Sequence, residues 1–150
     1  VGQIPLYYNK KAPQSHDYVE MSASPLYPFG YGLSYTSFDY SDLHLSALMP
    51  RSFEISFKVR NTGKYDGEEV AQLYLRDEYA SVVQPLKQLK HFARFYLKRG
   101  EEREVKFILS EEDFSLVDRN LKKIVEPGTF QIMIGAASND IRLQTKVEIK

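Results

Sequence analysis

Phe53-Glu54-Ile55-Ser56-Phe57-Lys58-Val59-Arg60 alternates apolar and polar residues without a break over eight positions. Successive side chains of an extended chain point to opposite sides, so this spacing places Phe53, Ile55, Phe57 and Val59 on one face and the polar residues on the other. It predicts a strand with one face buried. Downstream, Asn61-Thr62-Gly63 and Asp66-Gly67 supply turn residues, after which 69–77 returns with Ala71, Leu73 and Leu75 on a common face. The two segments read as a hairpin.

The same period recurs in both directions along the chain. Strands are predicted at 38–45, 53–60, 69–77, 89–97, 104–109, 129–135 and 141–149. The fourth departs from strict alternation, because Leu89, Phe92, Phe95 and Leu97 do not fall on one face, and this predicts a bulge or a bend. Ser110-Glu111-Glu112-Asp113 has the form of a helix N-cap with an acidic first turn. A single helical turn carrying Phe114, Leu116 and Val117 is expected there, plugging one end of the core. Seven short strands with no alternation of strand and helix argue for an all-β fold: an immunoglobulin-like or fibronectin type III-like antiparallel β-sandwich.

Residues 1–36 are different. They contain Pro5, Pro13, Pro25 and Pro28, a dense set of tyrosines, and Gly30 and Gly32, with no regular period. Proline at that density removes backbone donors and excludes helix, so the segment reads as an irregular arm and interdomain linker with one short extended piece at 4–8. The sandwich is then 37–150. The chain begins with Val1, not Met, which points to a processed protein or a piece of a longer one.

Twenty basic residues balance twenty acidic ones, giving a formal net charge of zero, and the chain has no cysteine. Zero net charge removes the long-range field that nucleic-acid binding depends on, and the absent thiol excludes cysteine nucleophiles and thiolate metal sites. No apolar run approaches the length that spans a bilayer as a helix. Neither nucleic acid nor membrane is an expected partner.

Candidate chemistry is sparse. The acidic neighbours Glu68-Glu69, Glu101-Glu102 and Glu111-Glu112 lie in or beside turns, where solvated surface is the default. His16, His44 and His91 are isolated, with no metal-ligand or nucleophile spacing. Gly30 and Gly32 start a G-x-G pattern whose third glycine is replaced by Tyr35 and which no strand-to-helix unit surrounds. Lys87, Lys90, Arg94, Lys98, Arg99 and Arg103 form a basic strip interleaved with Phe92, Phe95 and Tyr96. The expectation is that the aromatics face the core, the cations face water, and Glu101, Glu102 and Glu104 neutralise the charge. The arm admits two readings. Its rings are a docking surface for protein, or Tyr27, Phe29, Tyr31 and Tyr35 form a carbohydrate-binding strip, since aromatic rings pack on the apolar faces of sugars.

Several stretches bear a family resemblance. Pro25-Leu26-Tyr27-Pro28-Phe29-Gly30-Tyr31-Gly32-Leu33-Ser34-Tyr35-Thr36, Val59-Arg60-Asn61-Thr62-Gly63 and Glu69-Val70-Ala71-Gln72-Leu73-Tyr74-Leu75-Arg76-Asp77 closely resemble the C-terminal portion of glycoside hydrolase family 3 enzymes. Gln84-Pro85-Leu86-Lys87-Gln88-Leu89-Lys90-His91-Phe92, Glu126-Pro127-Gly128 and Ile134-Gly135-Ala136-Ala137-Ser138 are similar to the same family's fibronectin type III-like domain. The resemblance implies a parent of β-glucosidase or β-xylosidase type, retaining and periplasmic or extracellular, built from a (β/α)8 barrel, an α/β sandwich and this domain. Gly2-Gln3-Ile4-Pro5-Leu6-Tyr7-Tyr8 resembles the end of that α/β sandwich. The family's catalytic motifs match no position here. The resemblance therefore implies a non-catalytic accessory domain with no cofactor and no metal. Its partner would be the catalytic domains of the same polypeptide, met through Tyr27, Pro28, Phe29, Tyr31 and Tyr35, with weak carbohydrate contact as the alternative.

Overall fold

The computed structural model describes residues 24–150. The extended piece expected at 4–8, the resemblance at 2–8 and His16 lie outside the described residues. Nine strands follow in order: β1 (Phe38–Met49), β2 (Ser52–Asn61), β3 (Gly67–Asp77), β4 (Gln88–Leu97), β5 (Glu102–Leu109), β6 (Leu116–Val117), β7 (Lys123–Ile124), β8 (Gly128–Ala137) and β9 (Asp140–Ile149). Seven of these are the strands the periodicity predicts. The two-residue pieces β6 and β7 pair with each other in a small ribbon.

The seven form two antiparallel sheets, β1-β2-β5 and β4-β3-β8-β9. This is the expected β-sandwich. Ile55, Phe57 and Val59 of β2 and Val105, Phe107 and Leu109 of β5 are buried from one sheet. They meet Ala71, Leu73 and Leu75 of β3, Phe130, Ile132 and Ile134 of β8, and Phe95 and Leu97 of β4. Phe57 stacks on Tyr40 with ring centroids 5.9 Å apart and tilts against Phe107 at 5.8 Å.

The expected β2–β3 hairpin does not form. β2 pairs with β1 and β5, whereas β3 pairs with β4 and β8, so the 62–66 connection crosses from one sheet to the other. The cause is Asn61, fully buried at the crossing. Its side chain donates to the carbonyls of Tyr65 (2.8 Å) and Leu97 (3.1 Å) and accepts from Thr36 Oγ1 (2.7 Å) and Gly63 N (3.1 Å). These bonds fold the turn over the sandwich end and replace a hairpin ladder.

Other local features have equally direct causes. The irregular fourth strand is a bulge: Leu73 faces His91 while Tyr74 faces Leu89, leaving Lys90 unpaired. The helical turn exists but is short, a 3₁₀ turn at Glu111–Phe114. Asp113 Oδ2 accepts from Ser110 N (2.8 Å) and Oγ (3.1 Å), and Phe114 plugs the core edge-on against Phe130 at 5.1 Å. Leu116 and Val117 are not in the turn. They belong to β6, with Leu116 buried and Val117 exposed, because the chain is already extended there.

Candidate functional site

A sandwich strand with one wet face buries every second residue, yet in β3 all five residues from Ala71 to Leu75 are buried. Gln72 and Tyr74 therefore lie under cover on the side of the sheet away from the core, with Tyr74 opposite the buried Met133 of β8. At Gln72 the cover is the arm. The Gln72 amide donates to the carbonyls of Gly30 (3.1 Å) and Ala136 (2.5 Å), and its Oε1 accepts from the Tyr74 hydroxyl (2.5 Å). Every polar atom of the amide is thus used. Ser138 N adds a bond to the carbonyl of Phe29 (2.9 Å).

The arm meets the sheet as a β-turn, Pro28-Phe29-Gly30-Tyr31, closed by Tyr31 N donating to the Pro28 carbonyl at 3.0 Å. Its third residue, Gly30, has φ of +78°, a conformation that glycine adopts without strain. A Cβ on Gly30 would collide with the Gln72 amide. The turn can approach this closely because that residue has no side chain.

Main-chain atoms make the attachment, so the rings are left outside. Tyr27, Phe29, Tyr31 and Tyr35 are all exposed, Tyr35 at 97%, together with Leu26 and Leu33. Tyr27 and Tyr31 pack on each other with centroids 5.4 Å apart. The basic strip departs from its expectation in one respect. Only Phe95 faces the core; Phe92, at 67% exposed, and Tyr96 lie on the outer face, because they alternate with the inward Phe95 and Leu97. The cations of the strip are tied locally: Arg94 pairs with Glu68, Arg103 sits over the Phe95 ring at 5.6 Å, and Lys87 Nζ donates to the Ser138 carbonyl at 2.5 Å.

A groove of about 900 Å³ runs beside the arm. Its walls are the arm from Phe29 to Phe38, the start of β3, and the β8–β9 turn with Asp140 and Arg142; Phe92 lies at its rim. It opens because β3 pairs with β8 only from Gln72 onward, which leaves the Glu68–Ala71 stretch without a neighbour on that side. A bulge shapes the opposite wall. Ile134 faces Leu143 while Gly135 faces Ile141, so Arg142 is the extra residue, and the bend brings the Asp140 carbonyl so near Gly135 that a Cβ there would clash. The bulged Arg142 donates to the Phe38 carbonyl (2.5 Å) and to both Asp140 oxygens, and its guanidinium lies 4.8 Å over the Tyr40 ring.

Glu69 is the member that the solvated-surface expectation misplaces. It is half-buried in the groove wall, and burial raises its carboxyl above the ordinary range. Its Oε1 accepts from Val70 N at 2.9 Å, where β3 has run past the end of β8. Among the described residues it enters no ion pair. The neighbouring Tyr40 hydroxyl is buried without a hydrogen-bond partner, and burial raises its pKa.

The other candidates do not converge. His44 is exposed on β1, and His91 stacks on Phe107 with Nε2 3.4 Å from Asp113 Oδ1. Among the described residues no group of three or more His, Asp and Glu is placed to hold a metal ion. The described residues also contain no helix long and apolar enough to cross a membrane.

A model of the fibronectin type III-like domain matches residues 69–138, which spans β3 to the β8–β9 turn. Those residues carry a fibronectin type III-like domain. It is 43% identical over 152 aligned residues to a β-xylosidase of Formosa agariphila, an alignment that covers 97% of this chain and 21% of that protein. It is 41% identical to a periplasmic β-glucosidase of Salmonella typhimurium, over 95% of this chain and 20% of that one. A solved β-glucosidase from Erythrobacter marinus superposes on 99% of this fibronectin-like chain with a TM-score of 0.90 at 39% identity. The chain spans about a fifth of the length of the relatives it matches.

Gln72 and Glu69 escaped the sequence reading as functional residues. For Gln72 a signal was present: Tyr74 and Met133 put large apolar side chains on positions that the alternation assigns to the solvent face. Glu69 carried a mark as well, since alternation puts it on the face of Ala71, Leu73 and Leu75, a core-side position for a carboxylate.

Proposed function

We propose that this chain is a non-catalytic accessory domain of a family 3 β-glycosidase of β-glucosidase or β-xylosidase type, acting as a docking element for the catalytic domains of the same polypeptide. The observation that supports this most directly is the aromatic face. Tyr27, Phe29, Tyr31, Tyr35, Leu26 and Leu33 are exposed on a segment whose backbone is pinned to the sheet by Gln72 and Ser138. Apolar surface that is held rigid and left uncovered is the mark of an interface. Aromatic anchors on a preordered backbone lose little further entropy on association. The share of its relatives that the chain spans leaves about four-fifths of such a polypeptide to supply the opposing surface. By the same kinship the parent works in the periplasm or outside the cell, as the name of the Salmonella relative states of that protein.

The test joins three measurements. Calorimetric titration of this chain with glucose, xylose, cellobiose and xylobiose yields no saturable heat, and assay on aryl β-glucosides and β-xylosides across pH yields no turnover. Phe29→Ala with Tyr31→Ala, placed in a full-length relative bearing the same segment, lowers its melting temperature. A sugar isotherm that those two substitutions abolish, with full-length stability unchanged, would establish a carbohydrate-binding module instead. Turnover that vanishes on changing one acidic residue of this chain would make it an enzyme.

A further inference from the structure

The aromatic surface continues beyond the arm. In β4 the bulge at Lys90 sets Leu89 beside Tyr74 and Phe92 beside Gln72, so two residues that strict alternation would part share the outer face of the sheet. Val70 stands on that face as well, opposite Arg94. On this side the groove is a cleft lined by Phe29 and Tyr31 from the arm, Val70 from β3, and Leu89 and Phe92 from β4. Phe92 is two-thirds exposed and Tyr31 nearly half. The polar side chains of the strands here are already engaged. The Gln72 amide serves Gly30, Ala136 and Tyr74, Arg94 Nε donates to Glu68 Oε2 at 3.1 Å, and the Tyr96 hydroxyl donates to Asp66 Oδ2 at 2.9 Å. The charges that border the cleft on this face, Glu68 and Arg94, therefore neutralise each other.

The other sheet turns a different face outward. Glu54, Lys58 and Arg60 of β2 and Glu102, Glu104 and Lys106 of β5 alternate with core residues, and Lys58 and Lys106 pair with acidic neighbours at 3.0–3.8 Å. Ile108 is the only large apolar side chain that these two strands expose. A ladder of this kind belongs in water, since burial would strip its ions of hydration. We propose that the docking surface continues from the arm across the outer face of β3 and β4, where the cleft takes an uncharged apolar segment of the catalytic part of the same polypeptide between Tyr31 and Phe92. The inference rests on the docking reading and deepens it by naming the place and the chemistry of a second contact. Continuity argues for this occupant, because a partner seated on Phe29 and Tyr31 meets Phe92 across one cleft. Proximity argues for it too: the chain enters the described residues at Ser24, two positions before Leu26, so what precedes it is tethered beside this face. A charged segment would find no counter-charge there, because Glu68 and Arg94 are already paired. A sugar would find few partners for its hydroxyls, since the strand side chains are already bonded.

The experiment places a photoreactive benzoyl-phenylalanine at the position of Phe92 in a full-length relative bearing Phe29, Tyr31 and Phe92, with the position of Lys58 as control, and maps the cross-links by mass spectrometry. The expected result is a cross-link within one polypeptide from the position of Phe92 to an apolar peptide outside this domain, and none from the position of Lys58. Phe92→Ala should lower the melting temperature of that relative. In the 150-residue chain the same substitution should leave it within about 1–2 °C, as truncation of an exposed ring does. Nitrogen-15 spectra of the 150-residue chain should show no saturable shift at Phe92 with cellobiose or xylobiose. The proposal is overturned by no cross-link from Phe92, by one into a second copy or a charged segment, by equal cross-linking from Lys58, by equal loss of stability in chain and relative, or by a saturable sugar shift at Phe92. If Phe29→Ala with Tyr31→Ala still lowers the melting temperature of the relative, such a failure confines docking to the arm. The docking reading itself fails only when those two substitutions also leave the relative unmoved.

Discussion

The side-chain amide of Gln72, buried on the outer side of β3, holds the carbonyl of Gly30 at 3.1 Å from a point 42 residues later in the chain. One polar side chain thereby decides where the aromatic arm lies. Because the same amide also serves Ala136 and Tyr74, replacing it strands several buried polar groups at once.

Gln72→Leu is accordingly expected to destabilise the chain by about 2–3 kcal/mol, the penalty for buried donors and acceptors left without partners. The arm should also come loose, so that limited proteolysis cuts within residues 24–36 while the sandwich survives. Thermal melts and mass mapping of the fragments check both parts. A variant as stable and as protease-resistant as the parent would show that the arm is held by its rings.

Gly30→Ala attacks the other side of the same contact. The left-handed backbone at Gly30 and the collision with Gln72 add together, for an expected loss of about 1–3 kcal/mol. Gly32 has open space where its Cβ would be, so Gly32→Ala is the matched control and should melt within about 0.5 kcal/mol of the parent.

Phe57 is 1% exposed and Phe107 is also buried, and each lies between the two sheets. Truncation of either to Ala should cost about 3–5 kcal/mol by denaturant unfolding, through lost burial and the cavity left behind. Lys58→Ala removes only exposed ion pairs to Asp42 and Glu102 and should change little. Unmoved midpoints for the two phenylalanine variants, with a drop for Lys58→Ala, would invert the assignment of faces.

Glu69 gives a pH signature whose sign follows from burial. Its carboxyl titrates above the ordinary value in the folded chain, so the folded state holds that proton more tightly than the unfolded one. The stability it contributes is full below the ordinary carboxylate range and is lost as pH rises through the raised value. At pH 7 the buried charge is therefore a penalty, and Glu69→Gln should raise the melting temperature by about 2 °C for a domain of this size. The gap between variant and parent should close below about pH 3, where the carboxyl is neutral in both the folded and the unfolded state. Melts at matched ionic strength over that range decide it, and a variant less stable than the parent at pH 7 would reverse the sign.

The period-two stretches around Phe57, Phe107, Ile132 and Val147 were enough to place all seven sandwich strands, because alternation along a strand depends only on which residues face the core. The Lys90 bulge was legible for the same reason, as a break in that alternation. Which strands share a sheet was not. Turn residues between β2 and β3 read as a hairpin, and only the buried Asn61, with partners from Thr36 to Leu97, sends the chain across to the second sheet. Those partners are distant in sequence, so no local pattern announces them.

The candidate surface divides along the same line. By itself the sequence determined that the described part of the arm, residues 24–36, is irregular, ring-rich and turned at Gly30, since proline, glycine and tyrosine act through local backbone and side-chain chemistry. Tertiary structure alone decided that the arm lies over Gln72 with its rings outward, and that Glu69 sits in a groove. Both outcomes depend on where β8 ends and where the β9 bulge aims Arg142, which are properties of strand register between segments some 70 residues apart. Register is a long-range packing result, and long-range packing leaves no period for a single strand to display.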